Sequence, residues 1–595
     1  MKTFLHVLSL LGIVLVLVLM LAVLELNQNR VLGLVLCLAL FAGYLFLRHR
    51  LLAQGAPFPW RLACFAGWLA LYAGLLFCTW PPVQPVPAVP QKDPAKTSVV
   101  TLPQGQLQGV LTQDAAVEVY AGIPYAQPPV GDLRWREPQD PLPWEGVLQA
   151  DHFGPMSMQP THTPLYDSLY RMLGYHDYRP SLSDNYVPPV SEDSLYLNLW
   201  KPAGAQSGLP VLVYVHGGSL KTGRTWYGDF NGQGLAHEGV LVVNFAYRLG
   251  VFGYLADPEL AAESPHGSTG NYGLLDQIKA LEWVHQNIAA FGGDPDNVTV
   301  AGESAGAASV SALCTSPLAR GLFRRAILES STLAPVAPTH SFRLLDEALA
   351  SGAALKQRHQ AADVAALRAL PAEKLVAEAE TQHHITVDGY ALTETPYDSY
   401  RRGVHNEEAL LHGYNSRESG PFVLFDQADL KNYETKVRDY FGAVSDDVLA
   451  LYPAADDRQA RDNWAEIFGA VFFDYPHYCL NRLAGEIGIP AYEYYFSKGN
   501  GSIGPWHSGE MIYCYGSIPA SSRLFDGRDR ELSAQMLSYW ANFCRTGDPN
   551  GEGLPLWERN TASGRVMRFG DETVMTDEGE HELFAVFDRV TGFER

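Results

Sequence analysis

The sequence predicts an α/β protein in which helices cover a mostly parallel β-sheet, preceded by a helical membrane anchor. Two observations support this fold class. In the centre of the chain, apolar β-branched runs suited to buried strands alternate with a segment of helical periodicity. Near the N-terminus, three long apolar runs carry few charged residues.

The central segments predict a strand, helix, strand series. Residues Leu209–Val215 and Val240–Ala246 are predicted strands buried on both faces, and Val298–Ala301 is a further short strand. A helix is predicted between Tyr272 and Ala290, where apolar residues recur at helical spacing: Leu274, Leu275, Ile278, Leu281 and Ile288. Such a series implies parallel strands joined by helices packed on the sheet.

The N-terminal runs cover Phe4–Leu24, Val31–Leu47 and Leu62–Cys78, and we expect a membrane-spanning helix from each. A cleaved signal peptide is the alternative for the first run. Its apolar stretch is longer than the usual ~7–15 residues, and no small-residue cleavage site follows it. A buried hairpin of a soluble protein is the alternative for all three runs.

The basic residues near the runs predict their orientation. Arg48, Arg50 and Arg61 lie between the second and third runs, so this loop is expected on the cytoplasmic side. The short loop 25–30 is then outside, and the chain leaves the third helix on the outer side. We therefore expect the rest of the chain to be periplasmic or extracellular, with a bacterial inner membrane as the setting.

Composition predicts three parts: a membrane anchor over residues 1–80, a proline-rich linker over 81–98 and one large domain over 99–595. The chain carries a formal net charge of −22, and its first 89 residues contain one acidic and five basic side chains. The remainder is therefore strongly acidic, which argues against a nucleic-acid partner. The seven cysteines show no metal-ligand spacing and are each predicted to be small buried side chains.

Residues 302–306 (GESAG) fit the G-x-S-x-G pattern of a nucleophile elbow. The predicted strand Val298–Ala301 enters this pentapeptide, and a helix-compatible stretch, residues 305–313, leaves it. A tight strand-to-helix turn needs small flanking residues and exposes the serine hydroxyl above the sheet. We therefore predict Ser304 as the nucleophile; the alternative is an ordinary glycine-rich turn.

Residues 216–219 (HGGS) follow the predicted strand Leu209–Val215. Glycines let the backbone of such a loop turn its N–H groups into a cavity. We expect the N–H groups of Gly218, Ser219 and Ala305 to bind the oxyanion of a tetrahedral intermediate. A glycine-rich turn with no such role is the alternative.

Several longer motifs occur in order along the chain: 122–131 (GIPYAQPPVG), 133–135 (LRW), 191–198 (SEDSLYLN), 270–277 (GNYGLLDQ), 291–295 (FGGDP), 540–543 (WANF) and 546–549 (TGDP). From about Gly109 onward, the chain thereby resembles the type-B carboxylesterase family, which includes cholinesterases and bacterial para-nitrobenzyl esterases. The resemblance implies an α/β-hydrolase fold and hydrolysis of a small-molecule ester, with no metal and no cofactor.

The resemblance also implies the other two members of a catalytic triad. The family's glutamate context matches residues 414–419 (YNSRES), which gives Glu418, and its histidine context matches residues 506–510 (WHSGE), which gives His507. Without the resemblance, His507 would be one of several histidines of the domain, with His383, His384, His405, His412 and His477. Two supporting ion pairs are implied as well: Arg134 with Glu192, and Arg248 with Asp276.

The chain departs from the family pattern where a disulfide is common, since Ser157 and Ser194 occupy the two positions. A hydrogen bond between the two serines is the neutral expectation. The segment between them has five tyrosines and no tryptophan for a quaternary ammonium, which argues against choline esters: Tyr166, Tyr170, Tyr175, Tyr178 and Tyr186. A lipase for long acyl chains and a non-catalytic adhesion or scaffold protein on the same fold are the alternative functions; the oligomeric state is not predicted.

Overall fold

The computed structural model describes residues 2–81, 86–89, 93–161, 189–204, 207–226, 230–333, 341–378, 381–423, 426–499, 505–518, 525–560, 564–579, 581–591 and 593. The chain divides into two compact units, residues 1–86 with 161–189 and residues 87–160 with 190–595. Residues 82–85 and 90–92 of the predicted linker lie outside the described residues.

The first unit contains three helices, α1 (Lys2–Leu26), α2 (Val31–Ala53) and α3 (Phe58–Cys78). Each includes a segment long and apolar enough to cross a membrane, so the prediction of three apolar helices is confirmed. The helices extend beyond the apolar runs on both sides of the loop between α2 and α3. Arg48 and Arg50 therefore lie in the last two turns of α2, and Arg61 lies in the first turn of α3.

Aromatic and polar contacts join these three helices. The rings of Tyr44 and Trp68 stack with their centroids 4.7 Å apart. In the turn between α1 and α2, Nδ2 of Asn29 donates a hydrogen bond of 3.0 Å to Oγ1 of Thr79. The N–H of Arg30 donates to the carbonyl of Thr79 at 3.0 Å. The turn is thus tied to the C-terminal end of α3.

The cysteines differ in burial. Four in the second unit are buried, as predicted: Cys314, Cys479, Cys514 and Cys544. In the first unit Cys37 is buried, but Cys64 is half-buried and Cys78 is exposed, so the prediction of a buried side chain is wrong there. The physical reason is that three helices packed together cover only part of each other's surface, so side chains on their outer faces remain exposed.

The second unit is built on β-strands that follow one another along the chain as β1 (Val100–Leu102), β2 (Gly105–Gln108), β3 (Val110–Leu111), β4 (Val117–Pro124), β5 (Val147–Gln149), β6 (Met156–Ser157), β7 (Val190–Ser191), β8 (Tyr196–Pro202), β9 (Leu209–Val215), β10 (Leu241–Phe245), β11 (Gly293–Glu303), β12 (Arg325–Glu329), β13 (Phe342–Leu344), β14 (Ile385–Val387), β15 (Ala409–Asn415), β16 (Ala491–Phe496), β17 (Val566–Phe569) and β18 (Thr573–Thr576). The predicted strand Leu209–Val215 is β9, and the predicted strands Val240–Ala246 and Val298–Ala301 coincide with β10 and with part of β11.

Eleven of these strands form one sheet in the order β18-β17-β16-β15-β12-β11-β9-β10-β8-β4-β3. The strands from β17 to β10 in this order run parallel, and antiparallel pairs close both edges. The prediction of a mostly parallel sheet is therefore confirmed. Three small sheets, β1-β2-β5, β6-β7 and β13-β14, accompany it.

The register of the inner strands sets where their following loops meet. In the ladder, Val215 at the end of β9 pairs with Gly302 of β11, and Glu303 pairs with Glu329 at the end of β12. β12 pairs in turn with β15, which ends at Asn415. Because parallel strands all end at one edge, the loops after β9, β11 and β15 lie side by side there.

The helices and shorter turns of the second unit cover this sheet. The helices are Gln233–His237, Gly250–Tyr254, Pro258–Glu263, Tyr272–Asn287, Ala305–Thr315, Leu345–Arg358, Val364–Arg368, Ala372–Val376, Pro396–Arg401, Gly420–Val423, Tyr433–Phe441, Ser445–Leu451, Asp457–Gly469, Tyr475–Ile487, Met511–Cys514, Gly527–Thr546 and Glu582–Thr591. A π-helical turn, Ala470–Asp474, joins two of them, and 3-10 turns include Gly131–Leu133, Ile288–Phe291, Pro317–Ala319 and Gly442–Val444. The predicted central helix is confirmed as Tyr272–Asn287 with the 3-10 turn Ile288–Phe291 after it.

Candidate active site

Ser304 occupies a sharp turn between β11 and the helix Ala305–Thr315. Its backbone has φ 57° and ψ −128°, a strained conformation for a residue with a side chain. A Cβ placed on Gly302 would lie 2.5 Å from the carbonyl carbon of Gly306, and one placed on Gly306 would lie 2.1 Å from the carbonyl oxygen of Val215. Both positions therefore require glycine, as the pentapeptide pattern predicts.

The loop after β9 lies against this turn. A Cβ placed on Gly217 would be 3.1 Å from Cβ of Ser304, so backbone and nucleophile candidate are in close contact. Gly218 and Ser219 have φ values of 104° and 56°, and the carbonyl of Gly218 accepts the N–H groups of the following turn. Among the described residues, no oxygen accepts a hydrogen bond from the N–H of Gly218, Ser219 or Ala305. These three donors are available to a ligand.

His216 supports the same loop from below. Its ring is buried and stacks on Tyr247 with the centroids 4.4 Å apart, and the Tyr247 hydroxyl donates to the His216 carbonyl at 2.8 Å. Burial lowers the pKa of His216 to about 4, so its ring is neutral at physiological pH. The first residue of the HGGS segment is thus a structural support rather than a charged group.

Glu418 and His507 meet at the same edge of the sheet. Glu418 follows β15 and is 2% exposed, and its Oε2 lies 2.5 Å from Nδ1 of His507. Its other oxygen accepts the N–H of Asn415 at 2.7 Å and the hydroxyl of Ser330 at 2.5 Å. These bonds satisfy the carboxylate and fix the tautomer of the ring with Nδ1 as a donor.

The second nitrogen of His507 faces a carboxylate as well. Nε2 lies 3.2 Å from Oε1 of Glu303, the residue before Ser304. Burial by itself lowers the pKa of His507, but the charges of Glu303 and Glu418 outweigh it and raise the pKa to about 9. Among the described residues, no hydrogen bond joins the Ser304 hydroxyl to His507. The structure therefore brings two of the three predicted side chains into contact and leaves the third beside Glu303.

Two further carboxyl groups lie behind the histidine, and neither was predicted. Glu510 is fully buried and accepts hydrogen bonds from Asn415, from Ser330 at 3.3 Å and from Tyr494 at 3.4 Å. Glu329 accepts from Nε1 of Trp540 at 2.9 Å, and burial raises its pKa to about 8. Burial, and then the charge of Glu418, raise the pKa of Glu510 well above its ordinary value. Burial thus favours the protonated form of both carboxyl groups over the carboxylate.

Comparison with known proteins places this arrangement in a family. Residues 96–586 match the model of the carboxylesterase family. The chain belongs to the carboxylesterase family. It is therefore an enzyme of the carboxylic ester hydrolase class with the α/β-hydrolase fold, as the sequence predicts.

Three characterised relatives illustrate the similarity. The chain is 33% identical to fumonisin B1 esterase of Sphingopyxis macrogoltabida over 513 residues, 82% of this chain and 89% of the relative. It is 33% identical to carboxylesterase 5A of Canis lupus familiaris over 510 residues, 80% of this chain and 85% of the relative. A medium-chain fatty acyl-CoA hydrolase precursor of Anas platyrhynchos is 33% identical over 493 residues, 76% of this chain and 84% of the relative.

An aromatic wall flanks the histidine of this carboxylesterase. The rings of Phe422 and Phe473 each lie with their centroid 5.0 Å from that of His507. Phe422 also stacks on Phe468 at 6.0 Å, and its side chain is 41% exposed. Phe473 belongs to the π-helical turn Ala470–Asp474. The wall offers an apolar surface to a group bound beside His507.

Both predicted ion pairs of the esterase are present. Arg134 contacts Glu192 at 2.5 Å, and Arg248 contacts Asp276 at 2.7 Å. Asp276 is fully buried and also accepts the backbone N–H of Arg248 at 3.0 Å. Each pair joins two separate segments of the chain, and the structural role that the resemblance implies for them stays a prediction.

The two serines at the family's disulfide positions are in contact. Oγ of Ser157 lies 2.9 Å from Oγ of Ser194, and Ser157 also donates to the carbonyl of Tyr247 at 2.7 Å. The expectation of a hydrogen bond between them is confirmed. Of the intervening segment, residues 162–188 lie outside the described residues, and so do its five tyrosines.

Proposed function

We propose that this carboxylesterase forms an acyl-enzyme on Ser304. His507 takes the proton of the Ser304 hydroxyl as its oxygen attacks the ester carbonyl, and then protonates the leaving alcohol. Glu418 orients the ring and stabilises the imidazolium. Water then attacks the acyl-enzyme with His507 again as the base, which frees the acid and restores Ser304.

The observation that carries this proposal is the short contact between Glu418 and His507 beside the strained turn of Ser304. Nδ1 bound to Glu418 at 2.5 Å leaves Nε2 as the reactive nitrogen. In the resting structure Nε2 faces Glu303 at 3.2 Å, so the attack requires the ring to turn from Glu303 towards the neighbouring Ser304. The neutral ring is the base, and the raised pKa of His507 means that activity increases with pH towards about 9.

The N–H groups of Gly218, Ser219 and Ala305 are proposed to bind the oxyanion. Their support is positional, since the loop after β9 touches Ser304 and these donors have no acceptor among the described residues. Removal of one such donor typically costs about 3 kcal/mol of transition-state stabilisation. The aromatic wall of Phe422 and Phe473 supports an ester with an apolar group.

We further propose that α1–α3 anchor the domain to a bacterial inner membrane, with the esterase on the periplasmic or extracellular side. The support is the position of Arg48, Arg50 and Arg61 around the loop between α2 and α3, which favours the cytoplasm for that loop. The division into an anchor (1–80), a linker (81–98) and an esterase domain (99–595) belongs to the same proposal.

The test is hydrolysis of para-nitrophenyl esters of increasing acyl length by the full-length protein in detergent. We expect rapid hydrolysis of short chains, and a loss of at least about 10³-fold in kcat for Ser304→Ala, which lacks the nucleophile. Ser311→Ala is the matched control, because Ser311 lies in the adjoining helix and its hydroxyl donates to two backbone carbonyls, those of Ala308 at 2.8 Å and of Thr332 at 3.3 Å.

The other outcomes decide between functions. A preference for long acyl chains would favour the lipase alternative, in which the anchor places the domain near lipid. If the folded protein hydrolysed none of the esters and a serine-directed phosphonate left Ser304 unlabelled, the chain would be a non-catalytic binding protein on this fold.

A further inference from the structure

Ser508, the residue after His507, has an unusual backbone for a serine. Its φ is 68°, in the left-handed region that glycine adopts most readily. A side chain kept in such a conformation is often retained for function. Here the side chain makes a specific contact: its hydroxyl donates to Oε1 of Glu303 at 2.5 Å, although the two residues are 205 positions apart in the sequence.

The accepting oxygen is the one that faces the histidine. Oε1 of Glu303 lies 3.2 Å from Nε2 of His507 and 2.5 Å from the Ser508 hydroxyl. Glu303 is 6% exposed, so bulk water contributes little to the orientation of its carboxylate. The serine hydroxyl and the imidazole thus meet on one oxygen atom.

We propose that Ser508 is a positioning residue whose hydroxyl holds the Glu303 carboxylate against Nε2 of His507. The inference rests on the proposed function, because the histidine it acts on is the proposed general base. A carboxylate fixed at this distance favours the imidazolium over the neutral ring. Ser508 thereby sets the lowest pH at which His507 can accept the proton of Ser304.

Among the described residues, the titratable groups that act on His507 come from three loops. Glu303 ends β11, Glu418 follows β15, and Glu510 lies in the turn that His507 itself begins. On the remaining side, Phe422 and Phe473 are apolar. Tyr214, Glu329 and Glu510 also lie within electrostatic range of Glu303. Because Ser508 donates to Glu303, loss of its hydroxyl changes the contribution of this one carboxylate.

The experiment measures kcat/KM against pH for a short-chain para-nitrophenyl ester with the full-length protein. The variants are Ser508→Gly, which suits the left-handed backbone, and Ser508→Ala, which keeps the strain and loses the hydroxyl. We expect both substitutions to lower the midpoint pH of the acidic limb by about half to one pH unit, because a carboxylate that is no longer held in place stabilises the imidazolium less. An unchanged limb, an upward shift, or a shift in Ser508→Ala alone would overturn the proposal.

A double-mutant cycle tests whether Ser508 acts through Glu303. Glu303→Gln removes the carboxylate charge and should itself lower the midpoint pH of the acidic limb. In the Glu303→Gln background, Ser508→Gly should cause no further shift of this midpoint. A full additional shift of the midpoint would show that Ser508 does not act on His507 through Glu303. Ser268→Ala is the matched control, since Ser268 also donates to a carboxylate at 2.5 Å, that of Asp388, outside the candidate site. It should leave the profile unchanged.

Proton NMR of the bond between Glu418 and His507 gives a readout that needs no turnover. A short bond of this kind produces a far-downfield proton signal that titrates with the imidazole. The titration midpoint should fall in Ser508→Gly and Ser508→Ala, even if esters prove not to be the substrates. A midpoint equal to that of the unsubstituted protein would overturn the role of Ser508, whereas loss of ester turnover with a shifted midpoint would count against the proposed function alone.

Discussion

Single residues with left-handed backbone conformations concentrate around the candidate site. Of the described non-glycine residues with positive φ, five belong to its loops: Ser219, Leu220, Ser304, Ser330 and Ser508. Each such conformation costs free energy, of order 1–3 kcal/mol, that the surrounding packing must offset. The edge of the sheet where the parallel strands end thus contains several strained residues close together.

The backbone of Gly218 offers a test of the proposed oxyanion donors. At its φ of 104°, a Cβ would lie 2.2 Å from the carbonyl oxygen of Thr222, so Gly218→Ala must displace the loop. We expect kcat to fall by about 10²-fold, because a donor moves away from the oxyanion, with only a small change in the melting temperature.

Gly204→Ala is the control for this substitution. Gly204 has a similar φ of 94°, but its Cβ would meet no atom within 4 Å. It carries the same intrinsic backbone cost and should keep full activity. An unchanged kcat in Gly218→Ala would contradict the assignment of its N–H to the oxyanion.

At this scale, the sequence predicted the residues that sit in recognisable motifs. The pentapeptide predicts Ser304 and the family context predicts Glu418 and His507, and the structure places the last two in contact at 2.5 Å. The contacts of Ser330 and Ser508 could not be predicted in this way, because each depends on two loops far apart in the chain meeting at one edge. Glu303 lay inside the predicted pentapeptide, but its approach to Nε2 of His507 is a tertiary contact.

Between β15, β16 and the helix Tyr475–Ile487 lies a buried pair of histidines. Nδ1 of His412 is 3.1 Å from Nδ1 of His477, and both side chains are fully buried. Among the described residues, neither Nε2 has a hydrogen-bond partner. Burial lowers the pKa of His412 to about 3, and burial followed by the charge of His412 lowers that of His477 well below its ordinary value. The pair is therefore neutral in the folded protein.

These histidines should make the fold sensitive to acid. Below about pH 6.5 the unfolded chain binds protons that the folded pair does not, so the free energy of unfolding decreases as the pH falls, by about 1.4 kcal/mol per pH unit per proton. We expect melting temperatures of the His412→Leu/His477→Leu variant to fall less steeply between pH 7 and 4.5 than those of the unsubstituted protein.

Glu493, the register partner of His412, has the opposite effect. Burial raises its pKa to about 8, so the folded protein holds this proton more tightly and is favoured at lower pH. The difference between the double variant and the unsubstituted protein reports on the two histidines, because Glu493 is present in both. His152→Asn, at an exposed histidine, is the control. Parallel melting curves for all three proteins would contradict the prediction.

Individual helices and strands could be predicted where a single pattern of apolar residues extends over the whole segment. The strand β9 has only apolar, buried positions and was predicted with its observed bounds. The central helix ends at Asn287 because a 3-10 turn takes over, which the apolar periodicity through Ile288 does not distinguish. The π-helical turn that brings Phe473 to His507 has no simple sequence signal, since its extra residue is accommodated by packing.

At the scale of the whole molecule, two units of different character share one chain. The unit with α1–α3 exposes apolar side chains on its helices, whereas the esterase unit buries an eleven-stranded sheet. Local apolar runs were enough to predict the first. The resemblance implied the fold of the second, but the order of its strands was not predicted, because neighbours such as β9 and β11 are separated by a long stretch of chain.

The proposed topology can be measured with reporters fused to the full-length chain. Alkaline phosphatase, which becomes active only after export, should be active when fused behind Arg595. Inserted at Gly55, in the loop between α2 and α3, it should be inactive, and green fluorescent protein should give the reverse pattern. An active phosphatase at Gly55 together with an inactive one at the C-terminus would invert the proposed orientation.

The contact between Ser157 and Ser194 has a consequence for the conditions in which the fold can be completed. A bridge made of two hydroxyls forms without an electron acceptor and opens without a reductant. The tie between these two stretches of chain is therefore complete as soon as the domain folds, in an oxidising or a reducing compartment alike. It also stays in thermal equilibrium between its closed and open states, with no oxidoreductase or thiol pool controlling the exchange.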